Sequence, residues 1–449
     1  MLKNKAWMKL DNAAKIYPAA KRRNWTALFR LSAELDEPVD PLILEQAQRN
    51  TVARFPFYAQ RLRRGLFWFY LEQLEGTPPV QKDVANPCVR MRLKENGGFM
   101  FRVRYYDRRI AVEFFHVLTD GAGGLIFLKT LVAEYLRLKH GLQIPPCEGV
   151  ADCADSPSAE EAEDAYARFA RRIGASRKEE PAFFIRGTDE NDELVHITTG
   201  MLSVEPLKIL CHQKNVSLTE YLTAVLILVI QSIQARCIPN QRHHKPVKIC
   251  VPVNLRQFYP TRTMRNFASY VNVGIEPKYG EYDFDEILTA VHHGMGAEAT
   301  EKKLNAKISA NINSERNRLL RFAPLFLKNA ALKLTFHLVG DRLSSSSISN
   351  LGVVRLPEEM TPYVKRMDFV LGPLSKTRVV CAVLSYNGCV NINFTRKIRE
   401  SAVEREFFRF LVRQGLHVKV ESNRLSLTRP ARSFSVKEEA SCPTAFTAE

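Results

Sequence analysis

The chain has 449 residues, 45% of them hydrophobic and 25% charged, which is the composition of a globular protein and a length that predicts two domains. The net charge of +17 allows an anionic partner, but the basic residues are dispersed and no nucleic-acid-binding motif occurs, so we expect no nucleic acid partner. No apolar run is long and continuous enough to predict a transmembrane segment, although the basic balance permits weak peripheral contact with a membrane.

The cysteines and the N-terminus indicate a cellular compartment. The nine cysteines are scattered and form no C-x-x-C pair, a pattern that argues against a disulfide framework and against a structural zinc site. The N-terminal segment is basic but lacks the apolar core of a secretory signal. We therefore expect a cytoplasmic protein with free thiols and no metal site.

The first part of the chain alternates strands and helices. The patterns predict a strand over 25–31, a helix over 42–54 opened by Asp40-Pro41, and an aromatic-rich strand over 66–72. Two alternating strands, over 100–106 and 110–115, form a hairpin that leads directly to His116.

The segment EFFHVLTDGAGGLIFL places His116, Asp120 and Gly121 at one junction between a strand and an amphipathic stretch. A strand followed by a glycine-rich bend and a helix holds a reactive side chain in a fixed position. Histidine is suited to proton transfer because its ordinary pKa lies near neutrality. The alternative is a histidine at a strand end, capped by an Asp-Gly turn.

The second part begins after a segment over 147–181 that is acidic and contains prolines, and that we interpret as a linker or crossover with a helix over 159–173. Further helices are predicted over 217–234, 283–304, 316–334 and 400–414, and strands over 247–253, 269–275, 345–354 and 417–420. Asn387-Gly388 predicts a type I′ hairpin over 379–395. The polar tail over 422–449 is predicted to be disordered. This order favours an α/β fold of mixed sheets covered by helices.

Three segments in this order carry a resemblance to a known family: the H-x-x-x-D-G run, V-P-V-N-L-R over 251–256 followed by Thr263 and Arg265-Asn266-Phe267, and S-N-L-G over 349–352. The chain resembles the chloramphenicol acetyltransferase-like superfamily of CoA-dependent acyltransferases, which includes the condensation domains of peptide synthetases. It is most similar to the alcohol acetyltransferase and wax-ester-synthase branches. The D-F-G-W-G segment of the plant branch is absent, since D-F-V-L-G-P stands over 368–373.

The resemblance implies two subdomains, over 1–175 and 182–421, with an active-site tunnel between them and a monomeric protein. It implies that His116 is the general base and that Asp120 is a brace paired with an arginine, for which Arg256 is the candidate. Gly121 would allow the backbone to bend and approach the substrate. Ser349 or Asn350 would donate to the oxyanion or line the tunnel, although a strand-end cap explains either residue equally well.

The implied activity is O-acyl transfer from acyl-CoA to an alcohol, with acyl-CoA as co-substrate and no permanently bound cofactor. One alternative is a condensation-type N- or O-acyltransferase that takes its acyl group from an acyl carrier protein. Another is a catalytically silent binding protein of the same fold. The intact pair of His116 and Asp120 argues against the silent protein.

Overall fold

A computed structural model describes residues 6–20, 26–171, 180–191, 194–316, 323–329, 343–373 and 377–424. The predicted tail beyond 424, most of the predicted helix over 316–334 and part of the segment over 147–181 lie outside these residues. The strands are β1 (Trp7–Lys9), β2 (Leu28–Leu35), β3 (Gln60–Arg64), β4 (Phe69–Gln73), β5 (Gln81–Lys82), β6 (Phe101–Tyr106), β7 (Arg109–Phe115), β8 (His196–Ser203), β9 (Val247–Asn254), β10 (Ala268–Ile275), β11 (Ser346–Val353), β12 (Val364–Leu371), β13 (Val379–Tyr386), β14 (Cys389–Arg396) and β15 (Lys419–Ser422).

The helices are α1 (Ile16–Ala20), α2 (Pro41–Arg54), α3 (Gly121–His140), α4 (Ala165–Phe169), α5 (Val204–Gln213), α6 (Leu218–Cys237), α7 (Phe284–Glu298), α8 (Glu301–Arg316) and α9 (Ala402–Arg413). Their ends follow from local sequence. Asp40 caps α2 by accepting from the backbone N–H of Leu42 and Ile43, and Ser217 and Glu220 form a reciprocal capping box at α6.

Two large sheets organise the fold. A five-stranded sheet has the order β12-β2-β7-β6-β5, and a seven-stranded sheet has the order β10-β9-β11-β13-β14-β8-β15. Helices α2 and α3 pack against each other and α3 covers β2 and β7, while α6 and α7 cover β9 and β10. Each sheet has its own core of buried apolar side chains. The predicted mixed α/β architecture is confirmed.

One strand joins the two parts of the chain. β12 follows four strands of the seven-stranded sheet in sequence, yet it pairs antiparallel with β2 along its length, with Phe369 opposite Leu31. The five-stranded sheet therefore takes four strands from the first 115 residues and one from residues 364–371. The boundaries 1–175 and 182–421 stay a prediction, and β12 crosses them.

Two helix predictions need correction. Instead of one helix over 159–173, the structure has a short 3-10 turn over Glu160–Ala162 and then α4, because Glu163 adopts an extended backbone conformation between them. The predicted helix over 283–304 is two helices, α7 and α8, which meet at Ala299-Thr300.

Helix α6 is the one helix in the described part of the chain whose length and hydropathy would suffice to cross a membrane. The most apolar 18-residue stretch of α6 is 72% buried inside the protein, as expected for a core helix covered by a sheet and by neighbouring helices.

The hairpin of β13 and β14 provides a test of backbone conformation alone. Gly388 has a φ of +73°, and a Cβ placed on it would meet nothing within 4 Å, so Gly388→Ala introduces backbone strain without a clash. We expect this variant to lose about 1 kcal/mol of unfolding free energy, measured by denaturant titration. Gly296→Ala in α7, which also has open space, is the control and should be neutral or stabilising. Equal effects of the two substitutions would contradict the prediction.

Candidate active site

His116 lies directly after β7, where its backbone N–H donates to the carbonyl of Ala27 at 2.9 Å. Its half-buried imidazole stacks on Tyr17, with ring centroids 4.8 Å apart and an interplanar angle of 20°, and meets the ring of Phe29 at 5.2 Å edge-on. These contacts fix the ring plane. Burial lowers the pKa of His116 below its ordinary 6.5, against the opposing effect of the nearby Asp120 carboxylate, so the imidazole is neutral at pH 7.

The carboxamide of Asn266 determines which imidazole nitrogen carries the proton. Its Nδ2 donates to the carbonyl of His116 at 3.0 Å and to Oδ2 of Asp11 at 3.1 Å. Its Oδ1 therefore faces Nδ1 of His116, at 2.9 Å. A carboxamide oxygen can only accept, so Nδ1 is the protonated nitrogen and Nε2 has the free lone pair.

Asp120 is buried and caps α3. Its Oδ1 accepts from the N–H of Gly123 at 3.0 Å, and its Oδ2 accepts from Arg256 at 2.9 Å and from the N–H of Phe267 at 2.8 Å. Although burial opposes ionisation, the Arg256 guanidinium and the two backbone donors hold the pKa of Asp120 below its ordinary value of 3.8. Because Arg256 and Phe267 lie beyond β9, the carboxylate joins the start of α3 to a distant segment.

Arg256 makes the ion pair expected of it and three further contacts. Its Nη1 bonds to Asp120 and to Asn254, its Nε donates to the carbonyl of Thr263 at 2.9 Å, and its Nη2 donates to the carbonyl of Arg265 at 2.7 Å. The guanidinium thus shapes the loop over 263–267 and ties that loop to Asp120.

The glycines after Asp120 do not form the bend that the sequence predicted. Gly121, Gly123 and Gly124 lie in the first turn of α3 and none has a positive φ, so they let neighbours approach a regular helix. A Cβ on Gly123 would lie 2.1 Å from the carbonyl oxygen of Met264, and one on Gly121 would lie 2.8 Å from the Leu351 side chain. Close packing, with no sharp turn, requires glycine here.

Thr119 also supports the packing of α3 against the loop over 263–267. Its hydroxyl donates to the carbonyl of Met264 at 2.5 Å, and the buried hydroxyl of Tyr58 donates to the carbonyl of Gly123 at 2.9 Å. The loop from His116 to Asp120 is therefore held on one side by the loop over 263–267 and on the other by the core of the five-stranded sheet.

Ser349 and Asn350 lie in β11, whose end approaches α3 through the contact of Leu351 with Gly121. The amide of Asn350 is engaged within its own part of the chain: Nδ2 donates to Thr219 at 3.0 Å and Oδ1 accepts from the N–H of Gly352 at 2.8 Å. The hydroxyl of Ser349 makes no hydrogen bond within the described residues. Of the two candidates, Ser349 retains an unused donor.

Two residues of this site were not predicted from the sequence. Asn266 lies inside one of the segments that carry the family resemblance, and this position in the sequence was a signal of a functional role. Asp11 had no such signal, because it lies in the basic N-terminal segment, far in sequence from Asn266 and Arg265. Its carboxylate is fully buried, accepts from the N–H of Ala14 at 2.8 Å and lies 3.6 Å from Nε of Arg265.

Three further histidines take no part in these contacts. His244 bonds to the carbonyl of Ile238 and His292 bonds to Glu220, while His243 is exposed in a short 3-10 turn. Among the residues that the structure describes, no three His, Cys, Asp or Glu side chains come together as a metal-ligand set.

A groove of about 940 Å³ lies between α9 and the strands β8 and β15. Its lining includes Phe408, Val412 and Val420 and none of the candidate site residues. The candidate active site is therefore described from the geometry around His116, and the tunnel between the two halves stays a prediction.

Solved structures resemble this chain over nearly its whole length. The F. sporotrichioides TRI101 structure with coenzyme A and T-2 aligns with a TM-score of 0.59 at 10% identity, covering 92% of this chain and 99% of that one. The first condensation domain of the calcium-dependent antibiotic synthetase aligns with a TM-score of 0.58 at 14% identity, covering 91% and 96%. The chain has the condensation-domain fold.

A third solved structure shares this fold. The wax ester synthase/diacylglycerol acyltransferase from Marinobacter aquaeolei VT8 aligns with a TM-score of 0.53 at 14% identity, covering 91% of this chain and all of that one (100%). No protein-family model and no curated protein matches the sequence. The resemblance inferred from the three sequence segments is confirmed at the level of the condensation-domain fold.

Gly123→Ala tests the close packing of α3 on the loop over 263–267. The added methyl group would meet a backbone carbonyl at 2.1 Å that cannot rotate away, so we expect a loss of at least about 3 kcal/mol of unfolding free energy. Gly121→Ala meets only the flexible end of Leu351 and should cost about 1 kcal/mol. Denaturant titration of both variants measures the difference, and equal costs would contradict this packing.

Asp120→Asn tests the ion pair with Arg256. Removing the charge leaves a largely buried guanidinium without its counterion, so we expect a loss of about 3 kcal/mol at pH 7. Because the pKa of Asp120 is lower in the folded state, its contribution is present at neutral pH and is lost as the pH falls below 3.8. Glu205→Gln, at an exposed pair with Lys208, is the control and should cost less than about 0.5 kcal/mol. If the loss of unfolding free energy in Asp120→Asn were as large below pH 3.8 as at pH 7, the role assigned to the ion pair would be contradicted.

Proposed function

We propose that this chain is an acyltransferase that moves an acyl group from acyl-CoA to the hydroxyl of an alcohol, with His116 as the general base. The observation that carries the proposal is the hydrogen bond between Nδ1 of His116 and Oδ1 of Asn266. This bond leaves Nε2 as a neutral base with a fixed ring plane, at the end of a strand.

The reaction follows from that base. Nε2 of His116 takes the proton of the acceptor hydroxyl as its oxygen attacks the thioester carbonyl, and a carbon–oxygen bond forms. Collapse of the tetrahedral intermediate breaks the carbon–sulfur bond. The imidazolium returns the proton to the departing CoA sulfur, and the products are an ester and free CoA. No covalent acyl-enzyme is needed, so no serine or cysteine nucleophile is required.

A preorganised donor is needed for the negative charge that develops on the carbonyl oxygen. We assign this role to the hydroxyl of Ser349, because β11 ends beside the first turn of α3 and Asn350 already bonds to Thr219 and Gly352. Asp120 and Arg256 contact no reacting atom in this scheme, and they brace the loop that carries Asn266.

Two observations support free acyl-CoA as the donor. The net charge of +17 favours a substrate with several phosphate groups. The TRI101 structure, which has the same fold, is a complex with coenzyme A. Acyl-CoA enters this proposal as a co-substrate, with no permanently bound cofactor. We also propose that the chain acts as a monomer, because both parts of the site come from one chain. We propose a cytoplasmic location, because the scattered cysteines form no C-x-x-C pair.

The likeness to condensation domains favours a second candidate, in which an acyl carrier protein supplies the thioester and the acceptor is an amine or an alcohol. The chemistry at His116 is the same in both candidates, and only the donor and acceptor differ. A catalytically silent protein of this fold would bind the same ligands without turnover.

The proposal is tested by thiol release from acetyl-CoA and from longer acyl-CoAs with a panel of alcohols and amines. We expect His116→Ala to lower kcat/KM about 10²- to 10⁴-fold. His243→Ala, at an exposed histidine, is the matched control and should leave the rate unchanged. Because burial lowers the pKa of His116, the wild-type rate should rise with pH below 6.5 and level off above it.

The outcomes separate the candidates. Transfer that survives His116→Ala would refute the mechanism. Turnover with a loaded carrier protein, but with no acyl-CoA, would establish the second candidate. Ligand binding without turnover of either donor would establish a silent protein.

A further inference from the structure

The buried carboxylate of Asp11 lies on the far side of Asn266 from His116. Its Oδ2 accepts from Nδ2 of Asn266 at 3.1 Å, and its Oδ1 accepts from the N–H of Ala14 at 2.8 Å. Asp11, Asn266 and His116 thus form a continuous line of hydrogen bonds, in which Asn266 bonds to both of the other residues. The proposed mechanism uses Asn266 but assigns nothing to Asp11.

Asp11 restricts the carboxamide of Asn266 to one orientation. Nδ2 uses its two hydrogens on two acceptors, the carbonyl of His116 and the carboxylate of Asp11. Rotating the carboxamide by 180° would place its oxygen against both acceptors and its NH₂ group against Nδ1 of His116. The reversed orientation would then favour a proton on Nε2, which removes the base.

We propose that Asp11 is a positioning residue whose carboxylate fixes the orientation of Asn266 and, through it, the Nδ1–H tautomer of His116. The consequence for catalysis rests on the proposed function. The consequence for the tautomer does not, because it concerns the protein without substrate.

The surroundings of Asp11 favour a functional role over a stabilising one. The charged groups that act on it are the Arg265 guanidinium, with Nε 3.6 Å away, and the Asp164 carboxylate. Burial raises the pKa of Asp11 to about 6, and Arg265 offsets only part of that effect. When the pKa of an acid is higher in the folded protein than in the unfolded chain, ionising that acid lowers the free energy of unfolding. The ionised carboxylate of Asp11 therefore destabilises the folded protein at pH 7. Its ionised form is an acceptor only, as the orientation of Asn266 requires.

The test measures the tautomer directly, by long-range ¹H–¹⁵N NMR spectra of the full chain labelled with ¹⁵N-histidine at pH 7.5. Comparison with His116→Ala assigns the His116 signals. We expect wild-type His116 to carry its proton on Nδ1 and Asp11→Asn to shift most of the population to Nε2–H. A wild-type proton on Nε2 overturns the proposal without any variant, and so does an unchanged tautomer in folded Asp11→Asn.

Kinetics provide the second readout. In Asp11→Asn we expect kcat to fall at least tenfold while KM for acyl-CoA changes less than twofold, because the base is affected and the donor site is not. Glu404→Gln, at another buried acid paired with an arginine, is the control; it should lower the melting temperature without moving the tautomer or kcat. A tautomer shift in Glu404→Gln, or a rise in KM without a tautomer shift in Asp11→Asn, would overturn the positioning role.

The two proposals fail separately. If no acyl transfer occurs in the wild type but the tautomer shifts in Asp11→Asn, the proposed function is wrong and the positioning role stands. If transfer depends on His116 but neither tautomer nor kcat responds to Asp11→Asn, the positioning role is wrong and the function stands.

Discussion

The buried carboxylate of Asp120 is the group on which the geometry around His116 depends. An ionised carboxylate away from water needs several donors, and Asp120 finds them at the start of its own helix, at Gly123, and beyond β9, at Arg256 and Phe267. Meeting that requirement brings the loop over 263–267 against the first turn of α3. The ion pair therefore holds this loop against α3 as well as neutralising the buried charge of Asp120.

Consecutive residues of that loop each contact the histidine segment or its support. The carbonyl of Met264 accepts from Thr119, the carbonyl of Arg265 accepts from Arg256, Asn266 bonds to His116, and the N–H of Phe267 donates to Asp120. The proton position on the imidazole is thus set by a residue 150 positions away in sequence. Gly123 is required at the same place because no side chain fits between α3 and this loop.

Elements with strong local signals were predictable. The Asn387-Gly388 turn has a positive φ at both residues, and Ser217 and Glu220 cap α6, as their residue types indicate. The alanine-rich stretch over 159–173 was mispredicted because helix propensity is weak compared with tertiary contacts. There the carboxylate of Glu161 pairs with Arg54, and its carbonyl accepts from the N–H of Met264.

The sequence by itself determined the spacing of His116 and Asp120, the strand that precedes them and the helix that follows, because periodicity and capping act over a few residues. It also indicated Arg256 as the partner of Asp120, through the resemblance. Only the tertiary structure decided the roles of Asn266 and Asp11. A carboxamide presents a donor at one end and an acceptor at the other, so its orientation is fixed by the groups that surround it. Those groups come from segments that are distant in sequence and meet only in the folded chain.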